Sequence, residues 1–335
     1  MTTPTPPTSS RGLQGSFRNL ALGLACGTFF LTLAFRRTSW RAVVSAIEPV
    51  DHRFILYGIF IYSLYLLART WRWSFLLAER TEQRPFLSLL RAVTWGTAAN
   101  AVIPHSGELL RALTTRSPLG LSVSSILGSI AAERFYDFAA VIAITGWTLL
   151  LQTQAPQILS DALVALAMMG LVILVPLAIL AVPNPLRGSL IRLLAHLLPQ
   201  RWSQKVSHQL KEIGTGIGAA FAHAHLLPIG LLSLVQWVLV AGCITCSLAA
   251  FGLNLPIWAG LVILPITIAG LTLPSAPAYL GTMQVCFIAG LSPFGISDDQ
   301  AIAASMIYLS IVTFPILIGA GVWYLIHLAL YRQNL

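Results

Sequence analysis

The chain has 335 residues; 9% are Asp, Glu, Lys or Arg, 56% are hydrophobic, and the formal net charge is +9. A soluble domain carries about a quarter charged residues, and a soluble globule this apolar would expose too much greasy surface to stay dispersed. These values exclude a soluble enzyme, a DNA-binding domain and a disordered chain, and leave a polytopic membrane protein. Lys205 and Lys211 are the only lysines among 20 basic residues. Arg grips a phosphate through two parallel hydrogen bonds, and for a membrane chain the basic balance points to cytoplasmic loops and anionic lipid head groups rather than nucleic acid.

Residues 1–16 are rich in Pro, Thr and Ser and read as a disordered tail preceding one transmembrane domain, 17–331. A first apolar run covers about 20–35. It is not a convincing cleaved signal, because it is long and a second apolar stretch follows closely. The second helix is expected over about 54–68, running into Arg69-Thr70-Trp71-Arg72-Trp73 at an interface. Residues 74–91 mix Arg80, Arg84 and Arg91 with Glu79 and Glu82, as a wet loop or surface helix does.

The segment 92–103 is apolar but too short to span. It stops at Asn100-Ala-Val-Ile-Pro104-His105-Ser106-Gly107 and resumes as Glu108-Leu-Leu-Arg111. Two short apolar helices around a Pro/Gly break describe a re-entrant hairpin, about 92–113. Its irregular backbone is tolerated at membrane depth only where protein or a water-filled cavity covers it. A long helix follows over 123–151, carrying Glu133-Arg134-Phe-Tyr-Asp137, and a fourth over 162–182. Residues 183–225 form a basic, cytoplasmic loop with Arg187, Arg192, Arg201, Lys205 and Lys211, and 190–198 suits an amphipathic helix on an anionic face. A fifth helix covers 226–251. The hairpin pattern recurs at 257–291, broken by Pro274, Pro277 and Gly281, and the last helix covers 301–330.

The fold expected is therefore all-α: about six full transmembrane helices plus two re-entrant helical hairpins. Placement of Lys and Arg puts 183–225 and both termini in the cytoplasm. Arg36, Arg37, Arg41 and Arg53 resist this, since 36–53 would then face outward. Half-length segments entering from opposite faces, one per half, are the pointer to an inverted-repeat transporter.

Charge inside the membrane marks the candidate site, because an ionised side chain at the bilayer centre costs at least about 2.5–3.5 kcal/mol. Glu108, Arg111, Glu133, Arg134 and Asp137 all fall in or beside apolar segments. Glu133 and Asp137 share a helix face. Two readings stay open: a cavity in which Arg111 or Arg134 meets a phosphate, or an ion-pair lattice that fixes the hairpin. His105 sits at the hairpin tip, as a cap, proton carrier or head-group contact. Asn100 is expected to satisfy backbone groups freed by Pro104. Gln284 is the polar side chain nearest the second break.

Other motifs carry less. Cys243-x-x-Cys246 and the remaining cysteines read as small packing residues. Gly214-x-Gly216-x-Gly218 is no nucleotide loop, because no strand precedes it. His223-Ala-His225 is the one pair near ligand spacing, and its members point to different helix faces. No nucleophile elbow is present. No metal, cofactor or catalytic residue is expected.

Asn100…Pro104-x-x-Gly107-Glu108-x-x-Arg111 followed by Glu133-Arg134-x-x-Asp137 resembles the lysylphosphatidylglycerol synthase transmembrane-region family, also called flippase-like. The resemblance covers roughly 15–330. Pro277-Ala278-Tyr279-Leu280-Gly281-Thr282-Met283-Gln284 resembles the family's Pro-Gly-Gly-Leu-Gly-x-x-Glu, but Ala278 and Tyr279 replace two glycines and Gln284 replaces the acid. The resemblance implies an inner-membrane protein whose relatives move lipids or lipid-linked intermediates between leaflets. With no synthase domain following the last helix, it is not expected to make the aminoacylated lipid. The partners expected are membrane lipids with anionic head groups, not nucleic acid. The rivals are an intramembrane enzyme acting on a lipid head group and a non-transporting scaffold.

Overall fold

Lipid offers a backbone no hydrogen-bond partners, so apolar runs of this kind satisfy their own N–H and C=O groups as helices. The computed structural model describes residues 28–33, 36, 41, 45, 50–77, 85–151, 156–181, 200–221, 225–253, 255–256, 258–272 and 275–333. The tail 1–16, most of the first apolar run 20–35, most of 36–49, and the stretch 190–198 lie outside them.

The chain order is α1 (His52–Leu76), α2 (Phe86–Val102), α3 (Gly107–Leu119), α4 (Val123–Leu151), α5 (Gln157–Ala181), α6 (Gln200–Ala220), α7 (Leu226–Ala249), α8 (Ala259–Leu271), a 3₁₀ turn (Pro277–Tyr279), α9 (Thr282–Leu291), and α10 (Asp298–Gln333). Among the described residues, α1, α4, α7 and 298–326 of α10 are long and apolar enough to cross a membrane. Gln157–Ile173 of α5 and Ala259–Leu271 are apolar but shorter.

Three helices depart most from the sequence reading: α2 begins at Phe86, inside the stretch 74–91 read as a wet loop or surface helix, and its Leu89 is fully buried; α1 and α6 are the others. α1 does not stop near 68 but continues to Leu76, and Arg72 and Trp73 are wholly buried rather than interfacial. Tyr62, Tyr65, Arg69, Arg72 and Leu76 recur every three or four residues and form one stripe. Leu56, Tyr57, Phe60, Leu64, Leu67 and Trp71 form the exposed apolar face, as a lipid-facing surface requires. Within the basic stretch read as a loop, 200–220 form α6, which packs on α4 and α5. Gly216 of α6 meets Gly128 of α4. A Cβ on Gly216 would strike the Ser125 carbonyl, and one on Gly128 the Ile213 carbonyl. The glycine run is thus a close helix crossing, of the small-residue kind that membrane helices use.

The hairpin arms α2 and α3 cross at Gly96 and Gly107, where a Cβ on Gly107 would strike the Gly96 carbonyl. At 17 and 13 residues they are about 25 and 20 Å long, short of the roughly 30 Å hydrocarbon core. The second pair, α8 and α9, has 13 and 10 residues. Gly270 there lies against Cys286 and Gly290 against Ile263.

The elements recur. The starts His52, Phe86, Gly107 and Val123 reappear as Leu226, Ala259, Thr282 and Asp298, offset by 173–175 residues. The packing recurs too: α2 lies on α1 and on α10, and its counterpart α8 lies on α7 and on α4. The two leading helices, α1 and α7, pack against each other and run antiparallel. Asp51 N–H before α1 donates to the Ala250 carbonyl after α7 at 2.9 Å, and Phe75 near the end of α1 meets His225 at the start of α7.

Candidate functional site

A cavity of about 460 Å³ lies among the inner turns of α1, α4, α7 and α10. Both chain breaks border it. Asn100, Ala101, His105 and Glu108 come from the first; Ala278, Tyr279 and Met283 come from the second. α1 adds Tyr62, Tyr65, Arg69 and Arg72; α4 adds Arg134 and Asp137; α7 adds Gln236 and Trp237; α10 adds Tyr308.

The charges form two layers. Behind the wall, Arg111 donates to Glu133 Oε2 at 2.7 Å, and its guanidinium stacks over the Trp73 ring at 4.0 Å. Arg111 and Glu133 are buried and neither lines the cavity. Trp73 Nε1 is in turn held by Ser129 Oγ at 3.2 Å. Arg72 bridges the layers: its Nη1 donates to Asp137 Oδ1 at 2.7 Å and Ser233 Oγ at 2.9 Å, while Nη2 lies 3.7 Å from Glu133. Asp137 Oδ1 also accepts from Gln236 Nε2 at 2.7 Å and Trp237 Nε1 at 3.2 Å. Every member of this inner set thus has an opposite charge, which buried ions require.

The cavity face is less committed. Arg134, with its side chain 39% exposed, lies 3.5 Å from Asp137 and 4.0 Å from Glu133. Arg69 is half-buried; it donates to the Tyr65 hydroxyl at 3.1 Å and has no carboxylate partner among the described residues. Glu108 likewise has no cationic partner within ion-pair distance among them, and its Oε2 is buried without a hydrogen bond. Among the described residues, Arg69 and Glu108 are thus the wall cation and the wall anion with no opposite charge within ion-pair distance.

Of the sequence candidates, Asn100, His105, Glu108, Arg134 and Asp137 line the cavity. Arg111 and Glu133 stand behind it; Pro104, Gly107, Pro277, Gly281 and Gln284 shape the two breaks. Asn100 Oδ1 accepts the Gly107 N–H at 2.6 Å, capping the start of α3. Gln284 Oε1 accepts the Gly281 N–H at 2.6 Å. That cap needs only an acceptor oxygen, which explains how an amide stands where the family has an acid. Sequence reasoning missed Arg69, Arg72 and Gln236 as wall residues. Arg69 and Arg72 are three apart in register with Tyr62 and Tyr65, and that spacing was the available signal.

Backbone strain gathers at the same place. His105, Ala278 and Tyr279 have φ of 66°, 54° and 57°, and all three border the cavity. A left-handed residue with a Cβ costs roughly 1–2 kcal/mol. The two positions at which the family motif has glycines keep glycine-like backbone here without glycine. Ala278→Gly is therefore expected to raise stability by about 0.5–1 kcal/mol, since relief of strain outweighs the flexibility gained by the unfolded chain. Thermal unfolding in detergent checks this: an unchanged or lower midpoint contradicts it.

Fold and site together define an all-helical membrane protein with a charged cavity between two broken helix pairs. The family described as Lysylphosphatidylglycerol synthase TM region matches residues 20–319, and the chain belongs to it. No curated protein and no solved structure matches the chain at a significant level.

Proposed function

We propose that this protein is a translocator of anionic phospholipid or lipid-linked intermediates. The observation that carries the reading is Arg69, a cation with no carboxylate within ion-pair distance among the described residues, on the wall of a cavity bordered by both chain breaks. A cation within a membrane helix that no carboxylate contacts directly is expensive, and a visiting anion lowers that cost. Arg134, shared between two acids at longer range, is the second phosphate contact; Arg111 and Glu133 hold the wall. Acyl chains stay in lipid while the head group crosses the polar interior.

The same reading takes the two broken pairs as re-entrant hairpins among six full spans. The constant offset between the halves and the antiparallel α1–α7 pair support an inverted repeat, the arrangement in which one hairpin is reached from each side of the membrane. We take the membrane to be the cell inner membrane, with both termini and the basic stretch 183–225 cytoplasmic.

The test is leaflet exchange in liposomes holding the full-length protein, followed by head-group accessibility. Exchange of an anionic phospholipid well above the protein-free rate, with unchanged lipid masses, is the expected result. Absence of exchange for every anionic phospholipid and polyprenyl phosphate would overturn the reading; altered lipid masses would instead make the protein an enzyme.

A further inference from the structure

The geometry points to a second lipid site, outside the cavity: a resident phospholipid whose phosphate meets Arg91 and whose acyl chains lie along the seam between α2 and α10. It goes beyond the translocator reading and uses none of the cavity residues.

Arg91 is the first observation. It is half-buried, about 8 Å along α2 from its start at Phe86. Its guanidinium stands over the Trp95 ring at 5.4 Å, and its Nε is buried without a hydrogen bond. Among the described residues no carboxylate lies within ion-pair distance of it. A ring face attracts a cation but does not replace an anion, and a buried donor left unmet is costly. A phosphate supplies both the charge and the acceptor oxygens. Arg91 does not line the cavity, so a head group held there does not serve it.

The seam is the second observation. Trp95 Nε1 donates to the Ala320 carbonyl at 3.2 Å, and Gly319 lies against Thr94, so the ring under Arg91 is fixed to α10. Deeper along α2, Thr97 and Ala101 share the cavity with Val312 and Ile316. The two helices therefore run antiparallel, which sets Arg91 level with Trp323 and Tyr324. Aromatic residues at that level mark the head-group zone of a bilayer. Inward from it, Ile318 and Phe314 are 66% and 59% exposed, an apolar track for acyl chains.

The two halves differ at this place, and the difference names the occupant. Under the 173-residue offset between α2 and α8, Trp95 corresponds to Ile268 and Arg91 to Leu264. The α8 seam is filled by protein: Leu166, Met169 and Ile173 of α5 gather there with Phe138, Val141 and Ile268. No described helix packs over the α2–α10 seam as α5 does over its counterpart. Lipid fills what protein leaves open, and the lipid-facing seam is the one that carries an arginine. A basic group between membrane helices at this depth is the pattern that holds a phospholipid head group.

The experiment is photolabelling of the full-length protein in a sugar detergent. One probe is phosphatidylglycerol with a diazirine in an acyl chain; the other is diacylglycerol with the same chain and no phosphate. Labelled peptides are then mapped. Phosphatidylglycerol is expected to label residues 317–325 of α10 at least about fivefold more than diacylglycerol, since only it answers the guanidinium. Arg91→Gln is expected to bring that labelling down to the diacylglycerol level. Arg69→Ala plus Arg134→Ala, which alters the cavity alone, is expected to leave it unchanged. Should Arg91→Gln fail to elute as folded protein, the two probes on wild type decide. Equal labelling by both probes, or labelling undiminished in Arg91→Gln, overturns the site. Labelling lost in the Arg69/Arg134 variant also overturns it, because the lipid seen would then be the one in the cavity. None of these outcomes bears on leaflet exchange, so the site and the translocator reading stand or fall separately.

Discussion

Replacing Glu133 by Ala is expected to destabilise the protein by about 3–5 kcal/mol, the cost of leaving a buried charge without its partner. Glu133 is fully buried, pairs with Arg111 at 2.7 Å and stands 3.7 Å from Arg72. Arg72 would keep Asp137 and Ser233. Arg111 would keep only the Trp73 ring, which does not replace a carboxylate. The loss should appear as a lower unfolding midpoint and aggregation during size exclusion in detergent. A further change, Arg111→Met with Glu133→Ala, should recover most of it, because removing both members of a buried pair is often close to neutral. If the single variant unfolds at the wild-type midpoint, the inner layer is not the lattice that holds α3 against α4.

The double change Arg69→Ala plus Arg134→Ala is expected to bring leaflet exchange down to the protein-free rate while the protein stays folded. The reason lies in what each residue leaves behind. Arg69 has no acid to orphan among the described residues, and its contact is the Tyr65 hydroxyl. Removing Arg134 leaves Asp137 still bound by Arg72, Gln236 and Trp237. Wall cations thus separate from wall structure, and the separation is measurable. Exchange at the wild-type rate in the double variant would mean that neither guanidinium meets the phosphate. Loss of folded protein would mean that the cavity face, like the inner layer, is structural.

The membrane character of the chain, its long apolar helices and the two breaks were all readable from residue order. Each depends on local quantities: hydropathy over one span, and Pro or Gly interrupting a run too short to cross. The charge cluster was readable for the same reason, since Glu133-Arg134-x-x-Asp137 interrupts an apolar stretch. Less was readable where one local signal has two meanings. Trp71-Arg72-Trp73 has the composition of a membrane interface, and only the packing of α1 against α4 and α7 turns Arg72 inward. The basic stretch around Lys205 and Lys211 has the composition of a loop, yet glycines at its C-terminal end let α6 lie on α4.

Which arginine serves which purpose is a different kind of question. In sequence, Arg111 and Arg134 were equal candidates. Their difference comes from neighbours distant in the chain: Trp73 and Glu133 enclose one, while the cavity between both breaks reaches the other. Arg69 stands out only because, among the described residues, no carboxylate lies within ion-pair distance of it in the fold. Composition and periodicity by themselves determined that this chain lives in a membrane, folds as helices and concentrates its few charges in one place, because these follow from the solvent each residue meets. The tertiary structure alone decided which charges pair and which, among the described residues, stand without a partner, because pairing depends on distance in space.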